Sequence, residues 1–259
     1  MSSTRAKRAD YSRHIFVVFS LVALGIFAWP LFAGSGLVEA GVAITLSLVA
    51  IPVIVLVLIL MADSRLRSVN TLALVGVLAG VAALARVLSI GFGGFELVFV
   101  VVILAGRALG ARPGFVVGVL AIALSSLVWG GSGPWTPYQM VALGWVGLGA
   151  GLLPTSWGRN AGVANRTEVL VLAAYGVLAS YLFGLLMNLW FWPVAVGPET
   201  SLSLDRSAGM GENLASFLLY SLASSTLTWD TVRAITTAVT VVLVGGAALR
   251  ALRRVYLRD

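Results

Sequence analysis

The sequence predicts an all-α protein, a polytopic membrane helical bundle with about eight transmembrane helices. Of the 259 residues, 59% are hydrophobic and only 10% are charged, and the mean hydropathy is +1.01. A soluble domain has about 25% charged residues, so this chain could not cover a water-facing surface. The uncharged runs 113–158 and 169–198 are long enough for helical spans of ~20 residues and too long for barrel strands of ~10.

Eight apolar stretches are predicted to span the membrane. In chain order they are 15–32, 37–61, 71–88, 95–109, 114–129, 136–153, 169–191 and 231–252. The stretch 95–109 is short for a span unless charged side chains at its ends snorkel or neighbouring helices shield it. The segment 213–226 is apolar but rich in Ser, and we expect it to lie at the extracellular interface or partly re-enter the membrane.

Most of the basic residues fall on one side of the membrane. In the eight-span arrangement, fourteen of the 17 Lys and Arg residues fall on the side that carries the N-terminal tail and the Arg-rich C-terminus. The positive-inside rule makes that side cytoplasmic, and a ninth span would break this pattern. The sequence therefore predicts a multi-pass protein of the cell (inner or plasma) membrane with both termini in the cytoplasm. The net charge of +7 reports orientation in the lipid bilayer, and no nucleic-acid partner is expected.

Residue counts exclude several chemistries. The chain has no Cys, one His (His14) and one Lys (Lys7). It therefore lacks thiolate chemistry, a Cys metal site and the G-x-x-x-x-G-K-[ST] phosphate loop. We expect no enzyme activity, no catalytic residues, no metal and no cofactor. ATP, if it is used, is hydrolysed by other chains.

Ten polar or aromatic residues fall on the predicted outer side, where they could line a pocket for a small molecule. They are Arg86, Glu96, Trp129, Trp135, Tyr138, Gln139, Asn188, Trp192, Asp230 and Arg233. Ionisable groups at membrane depth indicate function by default, although Arg86 and Glu96 could also be solvated near the surface. Asp230 and Arg233 have the spacing of a local ion pair at a helix start.

Other candidates have structural alternatives. Trp129, Trp135 and Tyr138 could belong to an aromatic belt at the membrane surface. Asn188 could hydrogen-bond between helices. Small residues at Gly76, Ala79, Gly80 and Ala83 form a stripe that lets another helix approach closely, either within the chain or from a partner.

Three motifs resemble the substrate-binding S components of energy-coupling factor (ECF) type vitamin transporters. They are the octapeptide 133–140 (GPWTPYQM), the segment 110–118 (GARPGFVVG) and the segment 229–233 (WDTVR). The octapeptide is the most specific of the three. The resemblance covers residues 71–254 and divides the chain into an N-terminal part, 1–70, with two extra helices, and a six-helix substrate-binding core, 71–259.

The resemblance implies a substrate-specific subunit for ATP-driven uptake of a vitamin or related micronutrient. The pocket would be closed by the loops 89–95, 130–135 and 192–230. The partners would be a membrane-embedded T component, docked on the stripe of Gly76, Ala79, Gly80 and Ala83, and two cytoplasmic ATPases.

The octapeptide is similar to that of S components proposed for cobalamin, so cobalamin or a precursor is the best guess for the substrate. A stand-alone membrane transporter or channel and a structural membrane subunit are the alternative functions.

Overall fold

The structure is a computed structural model that describes residues 2–33, 45, 49, 53–54, 69–154, 159–160, 163–196, 200–205 and 207–256. The predicted second span, 37–61, lies almost entirely outside these residues. The elements, in chain order, are α1 Ser2–Phe27, α2 Trp29–Ala33, α3 Val69–Leu88, α4 Val98–Leu109, α5 Ala111–Trp129, α6 Thr136–Leu152, β1 Arg159–Asn160, β2 Val163–Ala164, α7 Arg166–Ala195, α8 Met210–Ser221, a π-helix Leu222–Asp230 and α9 Thr231–Tyr256. Apart from one short antiparallel hairpin, β1–β2, the described elements are helical, which confirms the predicted helical bundle.

Four helical stretches are long and apolar enough to cross a membrane. They are α3, α5, α7 and the continuous stretch Met210–Tyr256. Helix α4 has 12 residues and is about 18 Å long, which is less than the ~30 Å of a bilayer's hydrocarbon core. All of its residues except Val101 are buried, so neighbouring helices shield it. The chain is therefore a multi-pass membrane protein.

Helix ends follow the local chemistry of the sequence. Gly130, at φ +71°, adopts the left-handed conformation that ends α5. Pro137 lies in the first turn of α6, where a missing N–H costs nothing. The Asn165 side chain accepts a hydrogen bond from Glu168 N at 2.8 Å and caps α7. These signals explain why most of the predicted span boundaries agree with the structure to within a few residues.

The region 192–230 contains more helix than the sequence analysis assigned to it. Helix α7 continues to Ala195, and α8, the π-helix and α9 follow one another without a turn. Residues 212–230 contain neither Gly nor Pro, so nothing in the sequence interrupts the helix there. Since no turn separates α8 from α9, α8 is not a separate ninth span. Its position at the membrane interface stays a prediction.

Helices α4, α5 and α6 pack backbone to backbone through glycines. A Cβ atom placed on Gly114 would lie 2.6 Å from the carbonyl oxygen of Gly147, and one on Gly106 would overlap the same oxygen. Only glycine permits this approach, which brings the ends of the three helices together. The N-terminal helix packs on this core, with Phe16 in edge-to-face contact with Phe115 at 5.2 Å between ring centroids.

Candidate functional site

A cavity of about 170 Å³ lies among α3, α4, α5, α6, α7 and α9, near the ends of these helices that the sequence predicts to face outward. Four polar side chains form one part of its wall: Arg86, Glu96, Gln139 and Arg233. The rest of the wall is apolar and consists of Val98, Phe99, Ile122, Leu143, Phe183 and Met187. The structure thus brings four of the ten predicted site residues together in one cavity.

Arg86 is held by two neutral partners. Its Nη1 donates to Ser125 Oγ and its Nη2 donates to Gln139 Oε1, each at 2.9 Å. Ser125 lies on α5, where its own hydroxyl is 2.6 Å from the Ala121 carbonyl oxygen. The guanidinium group is therefore fixed in direction by two other helices, but its charge is not neutralised by either contact.

Glu96 and Arg233 form a bidentate ion pair across the cavity wall. Arg233 Nε lies 3.1 Å from Glu96 Oε2, and Nη2 lies 3.2 Å from Oε1. The third guanidinium nitrogen, Nη1, contacts Asp230 Oδ1 at 2.7 Å and the Ser180 carbonyl oxygen at 3.2 Å. Arg233 is thus compensated by two carboxylates, and the Asp230–Arg233 pair is more than a local cap at a helix start.

The loop that carries Glu96 is positioned by Gly94. This residue has φ +90°, and a Cβ on it would overlap the carbonyl oxygen of Trp229 in the π-helix. Only glycine combines that φ with that contact without strain. Gly94 therefore seats the loop against the helical segment that leads to Arg233.

A hydrogen-bonded chain continues from Asp230 to α7. Asn188 Nδ2 donates to Ser221 Oγ at 2.8 Å and to Ser225 Oγ at 2.7 Å, and Ser225 Oγ donates to Asp230 Oδ2 at 2.9 Å. Asn188 therefore joins helices, which is one of the two roles considered for it, and it does not line the cavity. The π-helix places the Ser225 hydroxyl against Asp230, in keeping with the frequent use of π-helical turns at functional sites.

Two aromatic rings flank Arg233. The rings of Phe99 and Phe183 meet edge to face with centroids 5.2 Å apart, and the Arg233 guanidinium carbon lies 5.2 Å from each centroid. A cation at this distance from a ring face is attracted to it. Neither Phe could be singled out from the sequence, because an apolar residue in an apolar span carries no distinguishing signal. Ser125 was likewise not among the residues predicted for the site.

The remaining aromatic candidates lie elsewhere. Trp129 and Trp135 are exposed, as residues of an aromatic belt would be. Trp192 is fully buried and donates from Nε1 to the Leu202 carbonyl oxygen at 2.7 Å. Tyr138 packs against Trp190 with ring centroids 4.4 Å apart and lines a second, apolar cavity of about 150 Å³ among α1, α6 and residues 49, 53 and 54. None of these four residues lines the polar cavity.

A second charge cluster lies at the opposite end of the bundle. Glu168, fully buried in the first turn of α7, accepts from Arg107 Nε at 2.7 Å and from Arg253 Nη1 and Nη2 at 3.0 and 2.5 Å. Arg107 and Arg253 lie in the last turns of α4 and α9. An acid at a helix N-terminus and bases at two C-termini also complement the helix dipoles.

The predicted docking stripe divides between two faces of α3. Ala79 and Ala83 are buried inside the bundle, whereas Gly76 and Gly80 are exposed. Among the described residues, a Cβ on either glycine would meet no atom within 4 Å. A partner helix that approached α3 from outside would therefore meet the two glycines, and the two alanines serve packing within the chain.

The fold and cavity together define a class: a helical membrane protein with a partly polar cavity between its spans. Within the described residues, no group of three or more His, Asp or Glu side chains is placed to hold a metal ion. The family model of the ECF transporter, substrate-specific component, matches residues 70–245. The chain therefore belongs to this family and is a substrate-specific subunit of an ECF transporter. No curated protein and no solved structure matches the chain.

Proposed function

We propose that the polar cavity is the substrate site and that the chain selects a vitamin or related micronutrient for ATP-driven uptake. The observation that carries the proposal is that polar side chains from four different parts of the fold meet in one cavity. Arg86 comes from α3, Glu96 from the loop before α4, Gln139 from α6 and Arg233 from α9, and all four side chains line one cavity. Charged groups at membrane depth are costly to bury, and they mark substrate pathways when they face an interior cavity.

The two charge clusters support the proposed orientation of the chain in the membrane. Arg107 and Arg253 occupy the ends of α4 and α9 that lie opposite Glu96 and Arg233. The basic ends correspond to the predicted cytoplasmic side, so the cavity would face outward and both termini would be cytoplasmic. A protease-cleavable tag at the C-terminus of the full chain tests this orientation. If a protease added on the cytoplasmic side does not cleave the tag, the proposed orientation is wrong.

The proposed partners are a T component in the membrane and two cytoplasmic ATPases. Family membership supports this assembly, and the missing phosphate loop is consistent with ATP hydrolysis by other chains. We place the docking surface on the outer face of α3, where Gly76 and Gly80 leave a shallow groove between exposed Leu72 and Leu84. Small residues of this kind allow two helices to approach closely in a bilayer.

Cobalamin or a precursor remains the candidate that the octapeptide motif predicts. The cavity of about 170 Å³ is far smaller than a corrin ring system. A corrinoid would therefore have to bind with the outer ends of the helices further apart than they are here. We keep corrinoids in the test panel for this reason and do not restrict the proposal to them.

The test combines co-purification with uptake. The full chain is expressed with and without an ECF T component and its two ATPases, and uptake of labelled vitamins, corrinoids included, is measured in cells. We expect the partners to co-purify, and we expect uptake that requires them. Gln139→Ala should abolish uptake, while the control Leu127→Ala, a change at an exposed position on α5, should not.

Each alternative predicts a different result. Uptake that does not require any co-expressed ATPase would favour a stand-alone transporter or channel. Normal function of a folded Gln139→Ala protein, together with co-purification, would favour a structural membrane subunit. Failure of any T component to co-purify would contradict the proposed assembly.

A further inference from the structure

The ends of α7 and α9 that lie opposite the polar cavity carry more positive charge than acidic side chains balance. Glu168 is the only acid in these two helices, and Arg107 and Arg253 already bind it. Three further arginines at this end are exposed: Arg166, Arg250 and Arg254. Within the described part of the chain, none of these three side chains has a hydrogen bond or an ion pair. One glutamate and five arginines therefore leave a net charge of +4 at these ends of α4, α7 and α9.

The three exposed arginines lie on one side of the contact between α7 and α9. The helices run antiparallel, because the end of α9 contacts the start of α7 and the start of α9 contacts its middle. They meet at Gly246, where a Cβ would lie 3.7 Å from both Val169 Cγ2 and Arg250 Nη1. At 3.6 residues per turn, Arg166 lies about 60° around α7 from Val169, and Arg250 and Arg254 lie about 40° and 80° around α9 from Gly246. Because the chain directions are opposite, these rotations lead to the same side.

The same face becomes apolar towards the middle of the membrane. Leu170 follows Arg166 by one helical turn, and Leu243 precedes Arg250 by two. Both leucines are exposed, and Gly246 leaves room at the contact between the helices because it has no side chain. Arginines beside an exposed apolar surface match the shape of a phospholipid, which has its phosphate at the membrane surface and its acyl chains in the interior.

We propose that this face of α7 and α9 binds one anionic phospholipid. The phosphate would accept hydrogen bonds from the guanidinium groups of Arg166, Arg250 and Arg254, and an acyl chain would lie against Leu170 and Leu243. Guanidinium groups bind phosphate in a bidentate geometry, and an anionic lipid supplies the counter-charge that the chain itself lacks here. A zwitterionic lipid would bring a second cation to a face that already carries three. The site is separate from the polar cavity and from the outer face of α3, and it does not depend on the identity of the substrate.

The experiment compares two lipids on the purified full chain in a neutral detergent. Native mass spectrometry measures the bound lipid while dioleoyl-phosphatidylglycerol or dioleoyl-phosphatidylcholine is titrated. We expect phosphatidylglycerol to bind at least tenfold more tightly. Arg166→Gln, Arg250→Gln and Arg254→Gln should each weaken its binding about fivefold, since one basic residue near an anionic lipid surface contributes about that factor. Arg250→Lys should lose less than Arg250→Gln, because it keeps the charge without the bidentate geometry.

Arg112→Gln is the matched control. It removes one positive charge at the same end of the bundle, but from α5, which packs mainly on α3, α4 and α6. This variant should change the affinity for phosphatidylglycerol less than twofold. Thermal unfolding of each variant verifies that it is folded.

Equal binding of the two lipids would overturn the proposal, as would a variant with all three Arg→Gln changes that keeps the preference. A loss in Arg112→Gln as large as in the other variants would also overturn it, because net charge and not this face would then be responsible. Inorganic phosphate that displaces the lipid at equal concentration would identify a site for free anions instead. Unchanged lipid binding in the triple variant, together with reduced co-purification of a T component, would identify a protein-docking surface instead.

Discussion

The buried cluster of Arg107, Glu168 and Arg253 should contribute to the stability of the fold, and a substitution at Glu168 tests this. Glu168 has no exposed surface and is the shared acceptor for both arginines. The cluster carries a net charge of +1 with the glutamate in place. Changing Glu168 to Gln leaves a side chain of the same shape with one acceptor oxygen, and it raises the net charge of the cluster to +2.

The cost can be estimated from this arrangement. Removal of one partner from a buried ion pair destabilises a protein by about 3–5 kcal/mol, because the remaining charge stays buried. Arg107 has a partial substitute in the Leu153 carbonyl oxygen, to which its Nη1 donates at 2.8 Å. Arg253 has less support, since its Nε has no hydrogen-bond partner in the described part of the chain. At about 2–4 °C per kcal/mol, the unfolding midpoint should fall by about 6–20 °C.

The assay is thermal unfolding of the purified full chain in detergent, followed by far-UV circular dichroism. Glu212→Gln is the matched control, because Glu212 is an exposed acid in the first turn of α8. Its midpoint should lie within about 2 °C of the parent protein's, as expected for an exposed substitution worth less than about 0.5 kcal/mol.

A second variant isolates the charge from the contact. Glu168→Gln combined with Arg253→Met restores the net charge of +1 and replaces the second guanidinium group with an apolar chain. Apolar replacement of buried charges is often neutral or stabilising, so the double variant should recover part of the lost midpoint. A shift below 2 °C for Glu168→Gln, or a double variant less stable than the single one, would refute the reasoning.

Three further predictions concern backbone contacts and partner docking. Gly147→Ala should destabilise the chain by about 1–3 kcal/mol, because its Cβ would overlap the Gly114 carbonyl oxygen. Gly76→Ala, the control, should be neutral or slightly stabilising. The thermal unfolding midpoints of the two variants test this difference. Gly94→Ala should weaken ligand binding by displacing the loop that carries Glu96, and calorimetry with the ligand found in the uptake panel measures the loss. Gly80→Leu should reduce co-purification of the T component without lowering the midpoint, since its side chain would project from the outer face of α3, where a Cβ meets none of the described residues.

Each of these three has a result that would count against it. An unchanged midpoint for Gly147→Ala would mean that α5 and α6 can separate at little cost. Full ligand affinity in Gly94→Ala would show that the loop adjusts without moving Glu96. Normal recovery of the T component with Gly80→Leu would move the docking surface away from this face.

The sequence predicted where most of the spans begin and end, but it did not predict how the helices pack against or continue into one another. Long apolar runs, Gly130 and Pro137 mark helix limits locally, and the structure has α5 and α6 end and begin there. The segment 210–230 was harder, because its Ser and Thr residues lower its hydropathy while nothing in it stops a helix. Its continuity with α9 depends on packing against α7, which includes the hydrogen bonds from Asn188.

The candidate site could also be predicted only in part from the sequence. Charge at membrane depth was enough to single out Arg86, Glu96 and Arg233 as candidates, because such groups are rare and costly in an apolar span, and Gln139 was singled out as a polar residue of the octapeptide 133–140. It could not separate them from Trp129 or Trp192, since the direction of a side chain around a helix depends on the neighbouring helices.

Composition by itself determined that the chain is a helical membrane protein, and charge distribution separated its two ends. Hydropathy and charge are summed along the chain and do not require a knowledge of contacts. Only the tertiary structure decided which polar groups meet: Arg233 with two acids, Glu168 with two bases, and Arg86 in hydrogen bonds with Ser125 and Gln139. Those pairings join residues as many as 137 positions apart in the sequence, and helix packing alone brings them within hydrogen-bonding distance.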